Sequence, residues 1–319
     1  MITLADIQAA STRIRPLVRR TPLISATGLH REITAGNLKL KLECFQPSGS
    51  FKARGASNKL LSLSREELQR GLVAASGGNH GLAVARSAFV AGVPATLFLP
   101  SNVTPEKVEK IRKWGANPVI AGKEFDEANA AALDFAEREG AAYFHSFADP
   151  LIVAGQGTVG LEIMEDAPET NIVVIAVGGG GFITGAGVAL KALKPSIRVI
   201  GVEPVGSPTL YNSLAAGEVR TLEEITTRVP TMACRRTDER LFELTRSVVD
   251  EIVLVEDDAM QEAADWLWFE FGLAADLSGA AAVAALAQGK IKVEKGETVT
   301  VPVCGAGLPV TGSRTPAPD

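Results

Sequence analysis

Apolar residues along this chain fall into short, nearly unbroken runs set between longer stretches of helical spacing. The runs at 38–42, 72–75, 95–99, 172–177, 199–202, 252–255 and 299–303 are rich in valine, isoleucine, leucine and alanine. The central ones lack polar alternation, as parallel strands buried on both faces do. Between them, 105–114, 125–139, 181–193 and 258–271 read as helices. Thr3 and Asp6 form a capping-box variant that opens an amphipathic helix with Leu4, Ile7 and Ile14 on one face, which is not a signal-peptide pattern. This alternation predicts an α/β fold with mainly parallel sheets and a ligand site beyond the carboxyl ends of the strands. The stretch 172–190 has the length and lack of charge of a membrane span, but Gly178–Gly181 interrupt it, so it reads as strand, loop and helix.

Composition adds an aliphatic core, since 46% of residues are hydrophobic but only 5% aromatic. With 32 basic against 37 acidic residues and no basic cluster, the chain is a poor match for nucleic acid or an anionic membrane. Its 319 residues suit one large or two modest domains, yet no linker-like segment marks a boundary. Three scattered cysteines, Cys44, Cys234 and Cys304, argue against a disulfide framework or zinc site and suit the cytoplasm. Residues 313–319 read as a frayed tail.

Four small-residue turns carry the candidate chemistry. In Pro47-Ser48-Gly49-Ser50-Phe51-Lys52, Ser50 is placed to cap a helix opening at Phe51. Lys52 then sits in the first turn, where the helix dipole disfavours an ammonium and leaves the neutral amine that imine formation requires. An ordinary surface lysine is the plainer reading. Ser76-Gly77-Gly78-Asn79-His80-Gly81 follows a strand and opens a helix, and its hydroxyl, amide and backbone N–H groups suit a carboxylate. A simple strand-to-helix turn is the alternative. Gly178, Gly179, Gly180 and Gly181 form a nest for a phosphate without the P-loop lysine. A degenerate nicotinamide fingerprint, with Glu203 as its acid, is the minority reading. Cys304 ends the last strand, where it faces a ligand or simply packs.

Together these turns resemble the fold-type II pyridoxal-phosphate enzymes, in the serine/threonine dehydratase and serine racemase branch. The resemblance rests on Lys41-Leu42-Glu43, on Ser50-Phe51-Lys52-Ala53-Arg54-Gly55, on the Ser76–Gly81 loop and on Gly178–Gly181, which occur in family order over nearly the whole chain. It implies a large cofactor-binding domain (1–61 and 150–319), a small domain (62–149) and pyridoxal 5'-phosphate in the cleft between them. Lys52 then holds the cofactor as an imine and acts as catalytic base. Phe51 lies against the ring, Asn79 bonds the phenolic oxygen, Gly178–Gly181 wrap the phosphate, and Ser76, Gly77, Asn79 and His80 grip the substrate. Cys304 faces the pyridine nitrogen. A thiol cannot hold a pyridinium proton as a carboxylate does, so the ring stays neutral and favours loss of a β-substituent.

The implied activity is an ammonia-lyase (dehydratase) acting on a small hydroxy amino acid such as L-threonine or L-serine, in a cytoplasmic homodimer. β-Replacement of the cysteine synthase type, 3-hydroxyaspartate dehydration through Arg235 and Arg236, and a non-catalytic cofactor-binding protein are the alternatives. Three departures from the family pattern stand out. Glu203 matches a carboxylate that ligates a divalent cation in racemase-like members, but Thr209 replaces its acidic partner, so no metal site is expected. The Ala-Asp-Gly triplet is replaced near Val229-Pro230-Thr231, and a glutamate near the ring by Asp276. With only fifteen residues after Cys304, no regulatory domain is expected there.

Overall fold

Every predicted apolar run becomes a strand in the computed structural model, which describes residues 2–101 and 103–307. The strands are β1 (Leu23–Ser25), β2 (Asn37–Lys41), β3 (Leu72–Ala75), β4 (Ala95–Leu99), β5 (Asn117–Ile120), β6 (Ala142–Tyr143), β7 (Ile172–Ala176), β8 (Arg198–Pro204), β9 (Glu251–Val255) and β10 (Thr298–Pro302). They form two sheets, one ordered β1-β2-β10-β7-β8-β9 and one ordered β5-β4-β3-β6. All pairs are parallel except β1 with β2. Strands β3, β7 and β10 are buried along their whole length, which is why their sequences lack polar alternation. The 172–190 stretch is β7, a glycine loop and the Gly181–Leu193 helix, and no helix among the described residues is long and apolar enough to cross a membrane. The 313–319 tail lies outside the described residues.

The sheet order places the site. Lys41 of β2 lies opposite Pro302 of β10, and Thr300 of β10 opposite Val173 of β7, so three strands end side by side. The loops after β2 and β7 therefore flank the loop after β10, where open α/β sheets bind ligands.

The Pro150–Asp166 helix runs behind these loops and was not visible in the hydrophobic pattern. Its glycines lower helix propensity, yet they are needed. A Cβ on Gly155 would lie 2.6 Å from the Cα of Gly55, and one on Gly157 would lie 2.7 Å from the carbonyl oxygen of Gly185. The helices meet backbone to backbone. An ionic network fixes the same region. Arg54 binds Glu43 at 2.7 and 2.8 Å and Glu162 at 2.7 and 2.8 Å, while Lys41 reaches Glu162 at 2.7 Å and the Thr21 carbonyl at 2.7 Å. Burial opposes charge on Arg54, but the two carboxylates outweigh it and raise its pKa. Removing one partner from such a buried set costs about 3–5 kcal/mol.

Candidate active site

Lys52 is the first residue of the Lys52–Leu60 helix. Ser50 does not cap it, contrary to the expectation from the turn. The Ser50 carbonyl, not its hydroxyl, accepts the Ala53 N–H at 3.2 Å, and the hydroxyl is buried without a protein partner. The Lys52 amine donates to the Ser146 carbonyl at 2.6 Å. Desolvation lowers its pKa to about 8, so burial rather than the helix dipole is the main cause. Two neighbouring imidazoles are also held neutral. His80 falls to about 3 and His145 to about 4, in each case by burial first and by the Lys52 charge second.

The glycine loop comes to the same place. Gly180, at φ +95°, is the N-cap of the Gly181–Leu193 helix, whose dipole and free N–H groups suit an anion. A Cβ on Gly179 would overlap the Phe147 ring, and one on Gly181 would overlap the Phe147 carbonyl. Segment 145–147 thus links the lysine to the loop, through Ser146 on one side and Phe147 on the other. The Phe51 and Phe182 rings stack at 4.1 Å, 17° from parallel.

The segment after β10 runs between these parts. Phe51 N–H donates to the Cys304 carbonyl at 3.1 Å, Ala306 N–H to Gly49 at 2.8 Å, and Asp276 N–H to Gly305 at 3.0 Å. The Cys304 thiol is buried 4.0 Å from the Ser278 hydroxyl, and desolvation followed by the nearby Asp276 charge raises its pKa.

From the other sheet comes the 76–81 loop. Asn79 opens the Asn79–Ala91 helix and donates from Nδ2 to Asp276 Oδ2 at 2.9 Å. The Ser76 hydroxyl accepts from Gly78 N–H at 3.2 Å. The His80 ring bonds the Phe144 carbonyl at 2.9 Å, so Nε2 carries the proton, and its buried Nδ1 has no partner. His80 therefore turns its ring inward and offers the loop its backbone. A Cβ on Gly77 would come 2.7 Å from Val103 Cγ2, whereas one on Gly78 would meet Thr231 Cγ2 at 3.5 Å and Ser76 Oγ at 3.9 Å, both ordinary contacts.

The remaining candidates, Glu203, Arg235 and Arg236, are taken up by protein partners of their own. Glu203 accepts from Leu210 and Tyr211 N–H, both at 2.9 Å, and burial pushes its pKa up to about 8. Arg235 donates to the Leu222 carbonyl at 3.0 Å, and Arg236 to Thr221 at 2.7 Å and to Glu239. Both arginines are engaged on the surface.

The residues present fit pyridoxal phosphate. A loop that tolerates no Cβ at Gly179 or Gly181 opens a helix and is joined through Phe147 and Ser146 to a low-pKa amine, and the Ser50 hydroxyl, two residues before that lysine, is buried without a partner. Sequence reasoning missed Ser146, Phe147 and Phe182. A backbone carbonyl has no sequence signature, and Phe182 reads as an ordinary core residue.

Comparison with known proteins agrees with this fit. The family model for pyridoxal-phosphate dependent enzymes matches residues 14–305. An L-threonine ammonia-lyase from Thermotoga maritima is 42% identical over 310 residues, which is 97% of this chain and 77% of that protein. Among solved structures, maize serine racemase matches with a TM-score of 0.92 at 31% identity, over 97% of this chain and 94% of that one. A threonine deaminase from T.th. matches with a TM-score of 0.90 at 35% identity, over 98% of this chain and 100% of that one. The family match spans both sheets and every loop that meets at Lys52, and the chain belongs to the pyridoxal-phosphate dependent enzymes.

Proposed function

We propose that this protein is a pyridoxal-phosphate dependent ammonia-lyase that eliminates the β-hydroxyl of L-threonine or L-serine, giving a 2-oxo acid and ammonia. The observation that carries the reading is the Lys52 amine, with a pKa of about 8, held on Ser146 beside the glycine loop. The threonine ammonia-lyase and threonine deaminase relatives support the same reaction.

When bound, pyridoxal phosphate supplies a carbonyl that captures the substrate amine and a ring that acidifies the Cα–H. The chain's own residues do the rest. Backbone N–H groups of Gly178–Gly181 would hold the phosphate, and Phe51 would support the ring. Asn79 would donate to the phenolic oxygen through its side chain, while the 76–81 loop would hold the substrate carboxylate through the Ser76 hydroxyl and backbone N–H groups, those of Gly77, Asn79 and His80 included. Lys52, free and neutral, would remove the Cα proton. The Cys304 thiol, kept protonated by burial, offers the ring nitrogen no negative charge.

The same reading carries a division into a large domain (1–61 and 150–319) and a small domain (62–149), no divalent cation, and a cytoplasmic homodimer. Three buried free cysteines support a reducing compartment. The engagement of Arg235 and Arg236 elsewhere weighs against a second substrate carboxylate, and so against 3-hydroxyaspartate. The deciding experiment is a panel of L-threonine, L-serine and 3-hydroxyaspartate, read for 2-oxo acid and ammonia with the reconstituted enzyme. Turnover of threonine or serine is the expected result. Turnover confined to hydroxyaspartate, or to β-replacement with an added thiol, would overturn the reading.

A further inference from the structure

We infer that Asp276 is a positioning residue that sets which way the Asn79 side-chain amide faces the cofactor. The inference rests on the proposed role of Asn79 as donor to the phenolic oxygen. Asp276 sits at the N-cap of the Leu277–Ala287 helix, and its two carboxylate oxygens are divided between two tasks. Oδ1 accepts from Gly279 N–H at 2.6 Å and from the Ser278 hydroxyl at 2.7 Å. Oδ2 accepts from Asn79 at 2.9 Å. The Asp276 main chain is tied to Gly305 at 3.0 Å, and its carboxylate packs where a Cβ on Gly305 would come within 2.5 Å of Oδ2. The group is therefore held in place from both sides.

An asparagine amide has two ends of similar shape and opposite hydrogen-bonding character. An ionised carboxylate only accepts, so it selects the NH2 end of Asn79. One N–H goes to Asp276 and the other stays available as a donor at the site. An uncharged partner with a single acceptor oxygen would lose this selection. In Asp276→Asn the new side chain still caps Gly279 through its carbonyl, because asparagine and aspartate cap about equally well. Its NH2 group is then turned toward the NH2 group of Asn79, and two donors face each other. Asn79 must flip its amide or withdraw, and the phenolic oxygen loses its donor.

The test compares wild type, Asp276→Asn, Asp276→Ser and Asp276→Glu as apo-proteins and after titration with pyridoxal phosphate. Three quantities are read: the apo-protein Tm, the cofactor dissociation constant and the absorption maximum of the bound cofactor. The wild-type Tm is expected in Asp276→Asn, with cofactor affinity about tenfold weaker and the absorption band displaced. Asp276→Ser, which caps but lacks the second oxygen, should reproduce the weakening and the displaced band, and Asp276→Glu should restore the wild-type band. A wild-type band and affinity in Asp276→Asn would overturn the inference alone. So would a fall in apo-protein Tm that accounts for the whole affinity loss, since Asp276 would then be a helix cap only. A wild-type protein that takes up no pyridoxal phosphate would overturn the functional reading along with it.

Discussion

Phe51 and Phe182 lie face to face at 4.1 Å, one residue before the lysine and one residue after the glycine loop. Each ring therefore reports the position of one half of the cofactor site to the other. Phe182→Leu keeps an apolar filling but removes the stack, which is worth about 1 kcal/mol beyond its buried area. Denaturant melts should show a stability loss of that order, and the bound cofactor should leave faster on dialysis. Unchanged cofactor release would mean that the two halves are held independently.

Lys52→Ala should abolish turnover while leaving the fold intact. Borohydride treatment of the reconstituted wild type should fix the cofactor on the peptide containing Lys52, identified by mass. A label on any other lysine would remove Lys52 from its role.

The lowered Lys52 pKa sets a pH profile. Only the neutral amine captures the cofactor aldehyde, and its fraction falls about tenfold per pH unit below the pKa. With the pKa lowered to about 8, the capture rate of apo-protein should climb up to about pH 8 and then level off. An ordinary lysine amine would keep gaining until about pH 10.4. Stopped-flow absorbance across this range distinguishes the two.

Gly77 bears on the stereochemical outcome. Racemisation needs a second acid/base on the face opposite the lysine, and Gly77, in the loop that would hold the substrate, has no side-chain proton to give. Residual L-serine should therefore stay L while pyruvate accumulates, as chiral chromatography would show. Gly77→Ser must displace Val103, which lies 2.7 Å from the added Cβ, so the informative variant pairs it with Val103→Ala. That double variant should gain measurable racemisation.

Chelators should leave activity nearly unchanged. Both oxygens of Glu203 accept helix N–H groups, and its pKa is pushed up to about 8, so it is a poor ligand for a hard cation. Activity lost to EDTA and restored by magnesium would contradict this.

Sequence patterning located the buried strands well, because a continuous apolar run of β-branched residues has few other uses. It missed β5, where Pro118 is tolerated only because the strand lies at a sheet edge, and β6, which is two residues long. It also missed the Leu277–Ala287 helix, whose all-round apolar face gives no period to read. At the site, the short-range motifs around Lys52 and Gly178–Gly181 were legible because each lies within one turn. The partners that complete them were not. Ser146 contributes a carbonyl, and Asp276 meets Asn79 across 197 positions of sequence.

The contact of Gly55 with Gly155 has a mechanical consequence. Two main chains already touching cannot come closer, so the backbone contact sets the near limit between the helix carrying Lys52 and the Pro150–Asp166 helix. A single methyl group at either glycine would lift that helix by a distance on the order of 1 Å, enough to cost about a hundredfold in rate where an amine must reach one particular proton. The reach of the lysine is thus calibrated by hydrogen atoms standing in for side chains, on a surface that no substrate touches.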